Sequence, residues 1–389
     1  MRVRPGTVLA LAAAAAALSA PPEAGAIPAF ARKYRFSCST CHSPFPRLKP
    51  YGEDFAARGF RLEDPGEEPA RATLDTGDEL LQLPRELPLA VRFDLFGAWD
   101  SGAAAKTDFQ APWVAKLLSG GSIADGVSYY VYFIIESGEV LGLEDAWVQW
   151  TRMFGLPLSL FAGQFQVCDP VFKRELRLMR LDYQILSLTV GASRATLTYD
   201  RGLGVTWDGP GFEVVGQVVN GNGIPPIGAG GTFDSDPYKN VALRVAVPVG
   251  PARLGVLGYW GKERQAGLPN ELYYLGPDLV LELGEWGQLS GIWLWRRDTN
   301  PFFLAPPQER VQTQGGFGEL LAFPDGPAGR WALSLLYNRV QSDDAGARRN
   351  SGSLGASFLL RRNVRLLAEA ARDFELDVNR VSLGTVVAF

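Results

Sequence analysis

From residue 88 to the C-terminus, apolar and polar residues alternate in runs of about ten residues. In one run, Val241, Leu243, Val245 and Val247 alternate with small or charged residues such as Arg244. A period of two places successive side chains on opposite faces of a β-strand. Strands of this length suit a barrel whose strands cross a bilayer at a tilt. This part of the chain is therefore predicted to be all-β.

The runs predict sixteen strands, joined alternately by compact turns and by connections that are mostly longer and more polar. The strands are 88–99, 109–119, 127–137, 142–152, 158–166, 201–208, 212–220, 238–248, 252–261, 271–283, 288–297, 311–323, 330–341, 352–361, 364–373 and 380–389. Short turns at one end, longer loops at the other and an even strand number are typical of bacterial outer-membrane barrels. We therefore predict a 16-stranded antiparallel, porin-like transmembrane β-barrel over 88–389.

A soluble β-sandwich is the competing interpretation. Such sandwiches rarely need ten-residue strands throughout. Tryptophans near predicted strand ends, including Trp99, Trp150 and Trp207, resemble the aromatic girdles at membrane interfaces. The alternating last strand ends on Phe389, as in the C-terminal signal of outer-membrane barrels. These features favour the membrane barrel.

Residues 1–26 have the features of a secretory signal peptide. Arg2 and Arg4 precede an apolar stretch over 8–18, and residues 24–26 read Ala-Gly-Ala, an A-x-A cleavage site. The stretch is shorter than the roughly 20 residues that a spanning helix needs. Export to the outer membrane is expected, with both termini on the periplasmic side. The net charge of −4 is too small to indicate nucleic acid as a partner.

The sequence Cys38-Ser-Thr-Cys41-His42 has the C-x-x-C-H pattern of covalent c-type haem attachment. Two thiols add to the haem vinyl groups, and the adjacent histidine becomes the proximal iron ligand. The chain contains three Cys and one His, so there is no second pair to complete a zinc tetrahedron. No βαβ pattern suggests a redox C-x-x-C motif. One covalently bound haem c is predicted, held by Cys38, Cys41 and His42.

The predicted haem segment, residues 27–60, is too short to cover a haem by itself. An acidic, proline-containing linker follows over 61–87. We therefore expect the segment to plug the lumen and barrel side chains to complete the walls around the haem.

The sixth iron position is left open by the sequence. Met179 is the leading candidate, Met153 is a weaker one, and Lys33, Tyr34, the mature amino terminus, water or an open site are further possibilities. Cys168 is a third thiol outside the motif and is interpreted as incidental.

The long connection 167–200 allows two interpretations. It either folds into the lumen as a constriction loop that presents Arg174, Arg177 and Arg180, or forms an amphipathic helix or hairpin on the outer surface. Carboxylates in other predicted outer loops could attract Fe²⁺, although most such charges are solvated loop tips.

The segment 27–60 resembles the amino terminus of the fused outer-membrane monohaem cytochrome–porins, whose best-known members are iron-oxidising cytochromes. The resemblance covers about 34 residues and rests on the haem motif and on single matches: Pro28, Phe30-Ala31-Arg32, Pro46, Leu48, Gly52, Phe55 and Gly59-Phe60. It implies a single haem in the barrel, bound by Cys38, Cys41 and His42. It also implies electron transfer from extracellular Fe(II) to a periplasmic carrier, the activity of an Fe(II):cytochrome c oxidoreductase.

Two functional hypotheses follow. In the first, the protein is an electron conduit across the outer membrane, with membrane lipid, an extracellular donor such as Fe(II) and a periplasmic cytochrome as partners. In the second, it is a solute or anion porin whose haem-bearing plug acts as a gate or redox sensor. A periplasmic electron-transfer protein anchored by a barrel is a further possibility.

Overall fold

A computed structural model of the protein describes residues 29–62, 73–74, 76–78, 81, 83–85, 88–168, 173–228, 230–306 and 310–389. The predicted signal peptide, residues 1–26, lies outside the described residues.

The described chain contains a closed antiparallel barrel of sixteen strands, which confirms the predicted fold class. The barrel strands are β3 Leu89–Asp100, β4 Thr107–Ala124, β5 Val127–Glu136, β6 Glu139–Trp150, β7 Leu158–Gln166, β8 Tyr199–Gly209, β9 Phe212–Val219, β10 Asn240–Val249, β11 Ala252–Gln265, β12 Leu268–Glu282, β13 Gly287–Asp298, β14 Val311–Ala322, β15 Trp331–Ser342, β16 Arg349–Arg361, β17 Val364–Asp373 and β18 Val378–Ala388. Each strand pairs with its sequence neighbours, and β18 pairs with β3 to close the sheet, with Val387 opposite Phe93.

The connections alternate between the two ends of the barrel. At the short-turn end they are 125–126, 151–157, 210–211, 250–251, 283–286, 323–330 and 362–363. At the long-loop end they are 101–106, 137–138, 167–198, 220–239, 266–267, 299–310, 343–348 and 374–377. The first barrel strand begins and the last ends at the short-turn end, as an even number of antiparallel strands requires.

Alternate side chains of each strand face outside and inside, and in β10 the outward set is apolar. Leu243 is 49% exposed, whereas its neighbour Arg244 is 2% exposed. Arg244 pairs inside the barrel with Asp278 of β12 at 2.7 Å. An apolar exterior around a polar interior reverses the pattern of a soluble protein and is characteristic of a transmembrane barrel.

In the described part of the chain that precedes the barrel there are three short helices: α1 Ala29–Tyr34, α2 Cys38–Cys41 and α3 Pro50–Ala57. Within the predicted linker, β1 Thr73–Leu74 and β2 Leu83–Pro84 form a small antiparallel pair. Among the described residues, no helix is long and apolar enough to cross a membrane.

The helical segment lies inside the short-turn end of the barrel. Its Phe60 ring stacks on Trp147 of β6, with ring centroids 6.4 Å apart. The Arg32 guanidinium donates to the Leu89 carbonyl at 2.9 Å, and Arg61 pairs with Asp125 at 3.2 Å. The segment therefore contacts the barrel wall as well as its rim.

The described residues of the connection between β7 and β8, 167–168 and 173–198, also fold into the lumen, in agreement with the constriction-loop interpretation. Its apolar residues, including Ile185, Leu186 and Leu197, are fully buried in a cluster with inward-facing residues of β10–β15. Arg296 of β13 donates hydrogen bonds to the Leu188 and Ala195 carbonyls. We call residues 167–198 the lumen loop.

Replacing Val245, at the middle of the outward face of β10, by Arg is expected to lower the free energy of unfolding by about 2–4 kcal/mol in lipid vesicles. A charge there would face the hydrocarbon. The matched control is Val249→Arg, at the end of the same face, with an expected cost of about 0–1 kcal/mol. Guanidinium titration of the refolded barrel measures both. Equal costs for the two variants would contradict a lipid-covered exterior.

Candidate functional site

The C-x-x-C-H motif forms one helical turn followed by an extended residue. The Ser37 hydroxyl caps α2 by accepting the Ser39 N–H at 3.3 Å, and the His42 N–H donates to the Cys38 carbonyl at 2.8 Å. Cys38, Cys41 and His42 all line the same cavity. The structure thus brings the three predicted attachment residues together.

The surroundings of His42 define which ring nitrogen carries the proton. Nδ1 lies 2.9 Å from the Pro46 carbonyl oxygen and 3.2 Å from that of Arg47. Because a carbonyl oxygen only accepts, Nδ1 must be the donor, which leaves Nε2 with a lone pair for a metal. Burial also lowers the pKa of His42, which favours the neutral ring that a metal needs.

Helix α3 rests directly on the attachment turn at Gly52. A Cβ atom at this position would lie 2.6 Å from the Cys41 carbonyl oxygen and 3.1 Å from the Cys41 Cβ. The Lys49 N–H, just before α3, donates to the same carbonyl at 2.8 Å. Only a residue without a side chain allows this approach, so Gly52 supports the position of Cys41.

The cavity that the motif lines encloses about 480 Å³, within the range of about 300–1,000 Å³ that ligand pockets have. Its walls are mainly apolar and come from both parts of the chain. The haem segment contributes Phe30, Phe36, Phe45, Phe55 and Phe60, and the barrel contributes Leu118, Tyr130, Trp147, Phe161 and Phe165. We call it the apolar cavity. Two thiols, a ligand-ready imidazole and apolar walls fit a covalently attached haem.

This environment does not favour the two alternative uses of the motif, which are a redox-active C-x-x-C pair and part of a zinc site. Burial raises the pKa of both Cys38 and Cys41, whereas reactive redox thiols have a lowered pKa. Within the described ranges, no group of three or more His, Cys, Asp and Glu side chains is placed to hold a metal ion.

A second cavity of about 520 Å³ adjoins the first and is lined by charged side chains. Arg92, Lys116 and Glu175 line both cavities, so they form the partition between them. Lys116 Nζ donates to the Glu175 carboxylate, and Arg92 donates to the Glu175 carbonyl at 3.2 Å. We call the second space the polar cavity.

Arg174, Arg177 and Arg180 of the lumen loop all line the polar cavity. Arg174 and Arg177 pair with Asp182, and Arg180 lies between the rings of Phe96 and Trp113, 4.5 and 4.4 Å from their centroids. The lining carries as many carboxylates as cationic side chains. The arginines are therefore in the lumen, as one interpretation predicted, but largely balanced by acidic groups.

The sulfur residues outside the attachment motif, the ligand candidates Met179 and Met153 and the incidental Cys168, do not line the apolar cavity. Met179 lines the polar cavity, and its Sδ accepts from the Ser353 hydroxyl at 3.2 Å. Met153 lies in the turn between β6 and β7 at the short-turn end. Cys168 is buried and its thiol donates to Gln166 Oε1 at 3.6 Å. This geometry assigns none of these sulfur residues to the sixth iron position, which stays open.

Sequence reasoning did not find the partition. Arg92 and Lys116 are charged residues at inward positions of predicted strands, which was a usable signal that the lumen is polar there. Their partner Glu175 comes from the lumen loop, and nothing in the sequence indicates how that loop folds back.

The barrel is similar in structure to known porins. An anion-selective porin from Comamonas acidovorans superposes with a TM-score of 0.57 at 12% identity, over 78% of this chain and 99% of that chain. OmpF of Salmonella typhi, in complex with daunomycin, gives 0.55 at 11% identity, over 79% and 98%. At these identities the likeness shows the fold alone. No protein-family model and no curated protein matches the sequence.

Gly52→Val is expected to displace α3 from the attachment turn and destabilise the haem segment by about 1–3 kcal/mol, because the new side chain would collide with Cys41. The amount of covalent haem per barrel, measured as the pyridine haemochrome after denaturation, should fall. The control is Asp54→Val, at an exposed position of the same helix. Equal haem content in both variants would show that this close approach is not needed.

Asp182→Asn is expected to destabilise the packed lumen loop by about 1.5–3 kcal/mol at neutral pH, since two arginines lose their charged partner. Burial alone would raise the pKa of Asp182, but Arg177 and Arg174 outweigh it and hold the pKa well below its usual range. The carboxylate therefore stabilises the fold above its unfolded pKa of about 3.9 and loses this effect as pH falls toward the folded value. Unfolding titrations at several pH values should show the wild-type advantage shrinking below about pH 4. An advantage that does not depend on pH would contradict this; Glu285→Gln, in an exposed turn, serves as control.

Proposed function

We propose that this protein is an outer-membrane electron conduit, in which a single haem c attached to Cys38, Cys41 and His42 serves a path through a porin-like barrel. The observation that carries the proposal is that the complete attachment motif lines an apolar cavity whose remaining walls are barrel side chains. A haem bound there would supply one-electron Fe(III)/Fe(II) chemistry.

The filling of the lumen favours electrons over solutes as the cargo. The lumen loop packs against β10–β15 as an apolar core, and the haem segment lies in the short-turn end. In the part of the lumen that these two segments leave open, the Lys116–Glu175 pair separates the two cavities. Electrons can tunnel through packed protein, whereas a hydrated solute needs a continuous aqueous path.

The positions of the two cavities suggest the direction of the partners. The apolar cavity lies toward the short-turn end, which faces the periplasm in outer-membrane barrels, so a periplasmic cytochrome is the proposed acceptor. The polar cavity lies on the long-loop side of the partition, so the donor approaches from outside the cell. Fe(II) is the proposed donor, which would make the activity that of an Fe(II):cytochrome c oxidoreductase, and lipid covers the exterior.

An anion porin with a haem-bearing plug is the second candidate. It is supported by the porin fold and by the arginines at the polar cavity, Arg174, Arg177 and Arg180. The balancing carboxylates weaken it, because they offset the positive potential that would select anions.

The test uses haem-loaded protein in liposomes that contain a sealed redox dye. Fe(II) added outside is expected to reduce first the haem and then the internal dye, without leakage of a trapped anion. The Cys38→Ala/Cys41→Ala protein, which keeps the barrel but lacks both attachment thiols, should leave the dye oxidised.

Three results would change the proposal. Haem reduction without dye reduction would replace the conduit by a terminal oxidase that lacks its carrier. Anion leakage without haem reduction would favour the haem-bearing porin. Absence of a pyridine haemochrome would remove the cofactor on which the electron-transfer proposal rests.

A further inference from the structure

We infer that the Lys116–Glu175 pair is a proton-uptake site coupled to the redox state of the haem, and that Tyr132 and Tyr199 carry the proton to it from Glu144. The inference rests on the proposed function only in requiring a haem in the apolar cavity. It adds that each electron that enters this cavity is accompanied by a proton drawn from the polar cavity.

Glu175 is the carboxylate that both cavities share, and several barrel strands hold it. Lys116 of β4 donates from Nζ to Oε2, and Tyr199 of β8 donates to Oε1 at 3.3 Å. Arg92 of β3 donates a hydrogen bond to the backbone carbonyl of Glu175. The Lys116 side chain is 4% exposed and that of Glu175 is 18% exposed. A buried charge pair held in this way responds strongly to any new charge nearby.

A continuous set of hydrogen-bonding groups connects this pair to the polar cavity. Tyr132 donates to Glu144 Oε2 at 2.8 Å, and its hydroxyl is in direct contact with that of Tyr199. Gln166 fixes the Tyr199 hydroxyl from the other side at 2.5 Å. Glu144 lines the polar cavity and Tyr132 lines the apolar one. The chain Glu144–Tyr132–Tyr199–Glu175 therefore begins at the polar cavity, passes the wall of the apolar cavity at Tyr132 and ends at the partition.

Hydroxyl groups can both donate and accept, so each tyrosine can pass on a proton by taking one and releasing another. A hydronium ion from the polar cavity protonates Glu144, and the Tyr132 hydroxyl, which until then donates to Glu144, turns toward Tyr199. The Glu144 proton then moves to the Tyr132 oxygen as Tyr132 gives its own proton to Tyr199. Tyr199 in turn protonates Glu175. A haem in the apolar cavity would take up one electron from the external donor, and the Glu175 carboxylate would bind one proton. Reoxidation reverses each transfer.

The electrostatic reason is the low polarity of the apolar cavity. An electron placed there adds a negative charge that water screens poorly, and a proton on Glu175, the carboxylate that both cavities share, would neutralise it. The charged groups around the two cavities set the response of Glu175. The polar cavity is lined near Glu175 by Arg92 and Asp94 from β3, Lys116 from β4, Glu144 from β6, and Arg174, Arg177 and Asp182 from the lumen loop, and the apolar cavity adds Lys173, Glu213, Arg244 and Arg362. Lys116 is the one that bonds its carboxylate.

The first experiment is a spectroelectrochemical titration of the haem-loaded barrel in detergent between about pH 5 and about pH 9. The midpoint potential is expected to fall with rising pH, with a slope that approaches about 59 mV per tenfold change in proton concentration. Glu175→Gln keeps the side-chain size but removes the site, so the slope should flatten. The control Glu319→Gln removes a buried carboxylate that lines neither cavity and should keep it.

A wild-type potential that does not vary with pH would overturn the inference, as would a Glu175→Gln protein with the wild-type slope. If Glu175→Gln does not fold, Lys116→Gln tests the same pair. Without the ammonium, the buried carboxylate stays protonated in both redox states, and the slope should again be lost; a retained slope would overturn the site.

The path is tested separately from the site. Tyr199→Phe keeps the ring but removes the hydroxyl, so the equilibrium slope should persist while haem reduction after a rapid electron pulse becomes several-fold slower and loses its solvent deuterium effect. Tyr259→Phe, in a buried tyrosine that lines neither cavity, is the control. Unchanged rates in Tyr199→Phe would overturn the path.

These titrations do not depend on transport across a membrane. A protein that shows the pH-dependent potential but reduces no internal dye would contradict the conduit and support the proton site. Dye reduction together with a midpoint potential that does not vary with pH would support the conduit and contradict the proton site.

Discussion

A closed sheet of sixteen strands satisfies every backbone hydrogen bond in lipid, but it encloses a lumen wider than its own side chains can fill. Most features of this protein follow from that constraint. The lumen loop fills the half bounded by β10–β15 with an apolar core. The helical segment 29–62 fills the short-turn end, and its aromatic residues cover Trp147 and Tyr130 of the wall. The barrel and its two insertions therefore complete each other.

The two insertions impose different chemistry on the space that remains. Where the haem segment meets the wall, phenylalanines predominate and the cavity is apolar. Where the lumen loop meets β3–β6, the strands present charges that pair with the loop, as Lys116 does with Glu175. Each buried charge needs a partner, so inward charges of the strands and charges of the loop occur together. The partition lies where these two environments meet.

The sequence predicted the barrel well because strand periodicity is a local property. The alternation over Val241–Val247 shows which side chains face lipid without any knowledge of the partners of that strand. The attachment motif was equally visible because Cys38, Cys41 and His42 are adjacent in the chain. The sequence also predicted that the barrel would supply apolar walls, because a 34-residue segment is too small to cover a haem. It did not predict which residues form these walls.

Contacts across the lumen were beyond sequence reasoning, since they join positions far apart in the chain through a loop whose described part contains only a short 3₁₀ helix, Arg174–Leu176. Met179 illustrates this. Its place in an Arg-Leu-rich stretch suggested a reach toward the iron, but the fold places it at the polar cavity beside Ser353. Glu175, four residues earlier, reaches the boundary of the apolar cavity instead.

In the proposed electron conduit, the position of the partition is what would make a filled lumen useful. A wide aqueous channel would surround a redox centre with water, which stabilises both charge states and leaks ions across the membrane. A lumen closed by packed side chains excludes bulk water from the apolar cavity, and tightly paired charges at its boundary leave one carboxylate, Glu175, in contact with both sides. In the proposed coupling, charge that enters the apolar cavity would be balanced by a proton at a fixed position rather than by mobile ions. Under the proposed function, the constraint that forces the chain to fill its own barrel would thus also separate the passage of electrons from the passage of solutes.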